Sequence, residues 1–387
     1  MKHLTKQRMF TPGPTPLLPE AVLQAIITPL NHRKEDFKAL LRDIQRDLKT
    51  VFKTQGDVLL LSCSGSGAME AALTNLVAPG EKALIAVAGK FGERWLELAE
   101  KYGVNAKLVR VPYGESFEPT RIAEALSEDP EIGAVFLQAL ETSTGALMDI
   151  ETIGRLVKQR EGVVLIVDAI TALGTMRLET DSWGLDVVIG GSQKAFMLPP
   201  GLAMLSVSQK AWTRIERCSR PRYYFDLLRE RDAQRGGQTA FTPSIALIQG
   251  LRSALALMLE NGIDGFVANA ALQAGATRAA AAAWGLSLFP KQPGDAVTAL
   301  VAPAGVEPSR IISIMRRRFG AMISGGQGSM KGKIIRIGHL GYLDFLETLG
   351  MIGCLELALV EAGAKLELGT GSRAALAFYQ NAARSES

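Results

Sequence analysis

Seven short apolar runs, separated by helix-length segments, constrain this chain more than any other feature. They span residues 58–62, 83–88, 106–111, 134–138, 163–167, 187–189 and 202–207. Several are apolar at almost every position, the pattern of strands covered on both faces. Segments of helical length, such as 69–77, 93–102, 120–126 and 150–159, lie between most of them. Repeated strand–helix alternation predicts an α/β fold with a mostly parallel, seven-stranded sheet under helices.

The flanks read differently. Residues 9–19, MFTPGPTPLLP, hold four prolines, which predicts an extended arm. A helix is expected over 35–53, with Phe37, Leu40, Leu41, Ile44, Leu48 and Val51 on one face. After about Ala240 a long Ala-rich helical region, 243–284, precedes an apolar run at 296–301. A helix at 309–319, a strand at 334–337 and a final helical region from Tyr342 follow. These predict a smaller α+β C-terminal domain. The expected division is an N-terminal segment 1–20, a large domain 21–260 and a small domain 261–387.

Composition narrows the function. With 387 residues, 47% of them apolar, the chain can bury the cores of two or three domains. A net charge of +4 offers no basic stripe for nucleic acid, and Arg316–Arg318 reads as the solvated end of a helix. Cys63, Cys218 and Cys354 show no CxxC spacing, and His3, His32 and His339 are scattered, so a disulfide framework or metal centre is not expected. The N-terminus lacks an apolar signal region and no run of about 18 apolar residues occurs. The expectation is a soluble, cytoplasmic protein with neither a nucleic-acid nor a membrane partner.

In α/β sheets ligands bind beyond the carboxyl ends of the strands, so the residues following each run carry the functional reading. After the first comes Ser64-Gly65-Ser66-Gly67, opening a helix. Glycines there allow close approach of an anion to free N–H groups; a plain tight turn fits as well. Asp168 ends the fifth run, where it could pair with a cation, bind metal or cap a helix. Lys194 follows the sixth, within GGSQKAFMLPPG at 190–201. Burial there would lower its pKa and free its amine as a nucleophile; a loop lysine on the surface is the plainer reading. An anion cradle, a carboxylate and a lysine at three strand ends match what pyridoxal phosphate needs: a phosphate site, an acid opposite its pyridinium nitrogen and a Schiff-base lysine.

The chain resembles the class V aminotransferases of pyridoxal-phosphate fold type I, within them the alanine–glyoxylate and serine–glyoxylate group. The matching segments are TPGPTPLLPE (11–20), SGSGAMEAAL (64–73), GKFGERW (89–95), ETSTGAL (141–147), VDAITALG (167–174), GGSQKAFMLPPG (190–201) and RIGHLG (336–341). The resemblance implies that Gly65, Ser66, Gly67 and Gln193 contact the cofactor phosphate, that Phe91 stacks on its ring and that Ser143 bonds near its 3′-oxygen. It implies that Asp168 pairs with the ring nitrogen and Lys194 forms the Schiff base. Thr242 would reach the phosphate of a neighbouring subunit in a homodimer. Arg336 would grip the substrate α-carboxylate, with Pro12–Thr15, Gly13 included, over the substrate side. The expected reaction moves an amino group from alanine or serine to a 2-oxo acid, glyoxylate by resemblance. The same core would serve an aspartate, aminophosphonate or ureidoglycine transaminase. A cysteine desulfurase is disfavoured: the 323–329 loop has no cysteine, and Gln193 stands where that family typically has His. A non-catalytic accessory subunit of the hydrogenase-associated kind is disfavoured by Asp168 and Lys194, and no cysteine cluster could carry an iron–sulfur or nickel centre.

Overall fold

The computed structural model describes residues 5–27 and 30–385, so His3 lies outside the described residues. The main sheet comprises β1 (Asp57–Leu61), β2 (Lys82–Val87), β3 (Asn105–Arg110), β4 (Ile132–Gln138), β5 (Val164–Asp168), β6 (Val187–Gly191) and β7 (Ala203–Val207). Their order is β1-β7-β6-β5-β4-β2-β3. Only β7 runs against its neighbours, β1 and β6; every other pairing is parallel. The reversal follows from the short loop joining β6 to β7, which has no room for a crossover helix.

Strand alternation loads both faces with apolar side chains. Leu60, Leu84, Val135, Leu165, Val188 and Met204 pack on one side with Leu41, Phe52 and Leu255. Leu59, Ile85, Phe136, Ile166, Ile189 and Leu205 pack on the other with Met69, Leu73, Trp95 and Trp212. The near-continuous apolar runs thus arise from burial on both faces, as expected for such a sheet.

A third core joins Phe10, Ala276, Ala280, Ile311, Met315, Ile335, Ile337, Ile352 and Leu355. Its sheet has the order β8 (Val297–Val301), β10 (Ile334–Gly338), β9 (Ser324–Gly325), all antiparallel. The N-terminal arm is stitched to this unit, with Arg8–Met9 pairing in parallel with Ala321–Met322.

Three local expectations are corrected. Region 243–284 is two helices, Ile245–Asn261 and Ile263–Ala283, divided at Gly262, whose φ of +70° suits glycine. Helix Gly65–Leu76 begins four residues before the expected 69, because its glycines occupy the first turn. A helix Pro19–Ile27, not expected after so many prolines, starts on Pro19, a residue tolerated in a first turn. It lies so close to the Ile245–Asn261 helix that a Cβ on Gly250 would meet the Ala21 carbonyl at 2.7 Å. No described helix is long and apolar enough to cross a membrane.

Candidate active site

The carboxyl ends of β1, β2, β4, β5 and β6 open on one edge of the sheet. There Gly65, Ser66, Phe91, Thr142, Asp168, Gln193 and Lys194 line a single cavity of about 240 Å³, closed on another side by Gly13 and Pro14.

Ser64 precedes the helix in extended conformation and its side chain makes no cap bond. The N–H groups of Gly65 and Ser66 have no intrahelical acceptor, so they can face an anion. Gln193, half-buried, adds an amide whose enclosed Oε1 has no hydrogen-bond partner in the fold. Turned over, that amide would present N–H to the same anion. Gly67 does not line the cavity. Its missing side chain makes room for Cys63, whose Cβ and Sγ would lie 2.7 and 2.8 Å from an added Cβ.

Asp168 closes β5 and is buried. Its Oδ1 accepts the Ile170 N–H at 3.0 Å, and no cation lies within 4 Å of it among the described ion pairs. Burial raises its pKa to about 6 against the pull of that N–H and of Lys194 and Arg94. A buried carboxylate this poorly matched is suited to a cationic partner such as a protonated ring nitrogen.

Lys194 sits in the turn after β6, on a loop that also holds Met197 at a φ of +56°. Its Nζ donates to the Pro12 carbonyl at 2.5 Å, and its own carbonyl accepts from Thr15 Oγ1 at 2.9 Å. The N-terminal arm therefore lies directly on the lysine. A Cβ on Gly13 would stand 2.4 Å from Nζ. Burial lowers the Lys194 pKa to about 8, aided by Arg336 and Arg94 and opposed by Asp168. The lysine is not on the surface.

Phe91 is in the first turn of helix Lys90–Lys101. What fixes it was not foreseen. Fully buried Glu141 accepts from the N–H groups of Phe91 and Gly92, each 3.1 Å from Oε2. Its other oxygen accepts the Ser143 N–H at 3.1 Å and hydroxyl at 2.6 Å. Desolvation pushes the Glu141 pKa up while these bonds hold it down.

Ser143 corrects a second expectation. Its side chain faces Glu141 and the Lys90 N–H rather than the cavity. The cavity is lined instead by neighbouring Thr142 and by Thr171, whose hydroxyls are bonded to each other at 2.7 Å. Arg94 is another lining residue that sequence reading passed over.

Arg336, on β10, is buried behind Thr142. Its Nε donates to the Gly325 carbonyl at 2.9 Å and its Nη1 to the Thr142 carbonyl at 2.7 Å. No carboxylate lies within 4 Å of it among the described ion pairs. Burial lowers its pKa to about 10, with Glu141 acting the other way. Thr242 is exposed and outside the cavity of its own chain; the Ser244 N–H anchors that segment to Ser62 Oγ at 2.8 Å. His339 is buried against Thr298, its Nε2 2.8 Å from the hydroxyl, and burial lowers its pKa to about 3.

The residues present fit pyridoxal phosphate: free N–H groups and a partnerless amide at one wall, an unmatched acid and a desolvated lysine at the others. Comparisons with known proteins agree. The family model described as Aminotransferase class-V matches residues 22–340. The chain is 38% identical to a protein named soluble hydrogenase 42 kDa subunit from Anabaena cylindrica, over 97% of this chain and 99% of that one. It is 36% identical to a serine–glyoxylate aminotransferase from Methylorubrum extorquens, over 97% and 96%. The crystal structure of pyridoxamine-pyruvate aminotransferase from Mesorhizobium loti superposes with a TM-score of 0.93 at 30% identity, over 99% of each chain. This chain belongs to the class V aminotransferases, enzymes of fold type I that move amino groups between amino acids and 2-oxo acids with pyridoxal phosphate.

Proposed function

We propose that the protein transfers the amino group of a small amino acid, serine or alanine, to glyoxylate. The observation that carries this reading is the cavity itself: a buried lysine and a buried acid share about 240 Å³ with a helix N-terminus, and a guanidinium without an acid partner lies just behind it. Gly13 and Pro14 close over Lys194, and an arm held this near the lysine supports a donor with a small side chain.

Gly65, Ser66 and Gln193 would hold the cofactor phosphate, Phe91 its ring face, Thr142 and Thr171 its hydroxyl side, Asp168 its nitrogen and Lys194 its reactive carbon. When bound, the cofactor supplies a carbon that takes up the amino group and a ring that accepts an electron pair from the donor Cα. Lys194 Nζ removes the proton from Cα; a pKa near 8 leaves a useful fraction of neutral amine at physiological pH. The same Nζ, protonated by that step, would deliver the proton to the cofactor carbon that carries the amino nitrogen. Asp168 keeps a proton on the ring nitrogen through its negative charge. Arg336 orients the donor by parallel N–H···O bonds to the α-carboxylate.

The protein acts in this reading as a cytoplasmic homodimer. Leu23 and Ile26 stand 52% and 73% exposed on the Pro19–Ile27 helix, and Tyr223 and Tyr224 are exposed beside Phe241, next to Thr242. These surfaces suit a second copy of the chain, with Thr242 reaching its phosphate site. Cys63, Cys218 and Cys354 are all free thiols, as suits a reducing compartment.

The test is a donor panel of serine, alanine, aspartate and an aminophosphonate against glyoxylate and pyruvate, read as cofactor absorbance changes in each half-reaction. Serine or alanine with glyoxylate should be fastest. A kcat/KM at least tenfold higher for aspartate or the aminophosphonate overturns the donor assignment.

A further inference from the structure

We propose that Arg94 is the cationic partner of the cofactor phosphate, an inference that rests on the functional reading above. A phosphate monoester brings a charge between −1.5 and −2 near neutral pH, and a charge taken out of water needs a partner. The donors so far assigned to it, Gly65, Ser66, Gln193 and the Thr242 hydroxyl, are all neutral. Among the described cavity-lining residues the cations are Lys194 and Arg94. Lys194 is reserved for the cofactor's carbon, which leaves Arg94.

Its geometry suits the task. Arg94 Nη1 donates to Ser66 Oγ at 3.0 Å, placing the guanidinium at the first turn of the Gly65–Leu76 helix. Because Ser66 Oγ accepts in that bond, its own proton is left to point at an anion. Arg94 also lies one helical turn beyond Phe91, with Cζ 4.8 Å from the ring centroid. The ring face supports the guanidinium from one side. The acids nearest Arg94 on the same helix are engaged elsewhere: Glu93 and Glu97 both bond Lys90, and Glu93 also lies near Arg110. No described ion pair involves Arg94, and most of its five N–H groups remain for a ligand.

The experiment uses the full-length, cofactor-free protein and two ligands, pyridoxal phosphate and pyridoxal, which lacks the phosphate. Dissociation constants are measured by absorbance or fluorescence titration for wild type, Arg94→Gln and Arg94→Lys. Ligand-free melting confirms that each variant is folded. Arg94→Gln should weaken pyridoxal phosphate at least tenfold and pyridoxal less than twofold; Arg94→Lys should recover part of the loss. Inorganic phosphate should compete with pyridoxal phosphate in wild type and much less in Arg94→Gln. Equal weakening of both ligands would assign Arg94 to the ring through Phe91 and overturn the proposal. Unchanged cofactor binding, with KM raised for aspartate alone, would assign it to a donor side chain and overturn it too. A wild type that binds neither ligand would sink the functional reading itself.

Discussion

Replacing Asp168 by Asn should stabilise the cofactor-free protein and cripple the enzyme. Burial raises the Asp168 pKa from the usual 3.8 to about 6. At 1.36 kcal/mol per pH unit, keeping this carboxylate charged in the empty site costs about 3 kcal/mol. The sign follows from proton binding. Between pH 4 and 6 the folded chain binds more protons than the unfolded one, so stability falls as pH rises through that window and stays reduced above it. Asn keeps an oxygen for the Ile170 N–H but brings a buried NH₂, whose desolvation offsets about 1 kcal/mol. The net gain at pH 8 should be about 1–3 kcal/mol, fading as the pH approaches 4. Chemical denaturation of both cofactor-free proteins at pH 4, 6 and 8 measures it. With cofactor bound the order should reverse, and turnover should fall about 10²–10³-fold as the fixed negative charge is lost. A variant less stable than wild type at pH 8, or a difference independent of pH, would refute the electrostatic argument.

Three other perturbations probe the remaining geometry. Arg336→Lys cannot reproduce the two bonds to Gly325 and Thr142 while offering a fork to substrate. The donor KM should rise about 10–100-fold with a smaller change in kcat, and an unchanged KM in steady-state assays would count against carboxylate binding. Gly13→Ala forces a methyl against Lys194 Nζ at a φ of +147°. Activity should drop about tenfold or more while far-ultraviolet circular dichroism is retained; full activity would mean that the arm does not sit on the lysine. Glu141→Gln puts an amide where four N–H and O–H donors converge. A loss of about 2 kcal/mol of unfolding free energy in chemical denaturation is expected, together with weaker cofactor binding; an unperturbed transition would show that the helix start needs no charge.

Much of this was legible along the chain. Six of the seven strands were readable because burial on both faces leaves an almost unbroken apolar record; the edge strand Asn105–Arg110 is largely exposed and shows only a broken one. Asp168 stood out as an acid at the end of one of the six, and Lys194 as a lysine in the loop after another. Other features depend on contacts between distant segments. Glu141 acts on Phe91 and Gly92, some fifty residues earlier, and nothing local to ETSTG marks it as the acceptor for that helix. Arg94 reads as one charge among several on an amphipathic helix until Ser66 and Phe91 are seen beside it. Ser143 and Thr142 are adjacent, and the choice of which hydroxyl enters the cavity depends on how the turn after β4 is rotated. The Pro19–Ile27 helix was hidden by the prolines before it, although the last of them opens it.

In the proposed reading Lys194 is the residue that carries the cofactor. That role is tested most directly by reducing the cofactor-loaded protein with borohydride and mapping the fixed pyridoxyl group by peptide mass spectrometry. One adduct is expected, on the peptide containing Lys194, and none in Lys194→Ala. An adduct on another lysine, or no adduct on a protein that demonstrably binds the cofactor, would contradict it.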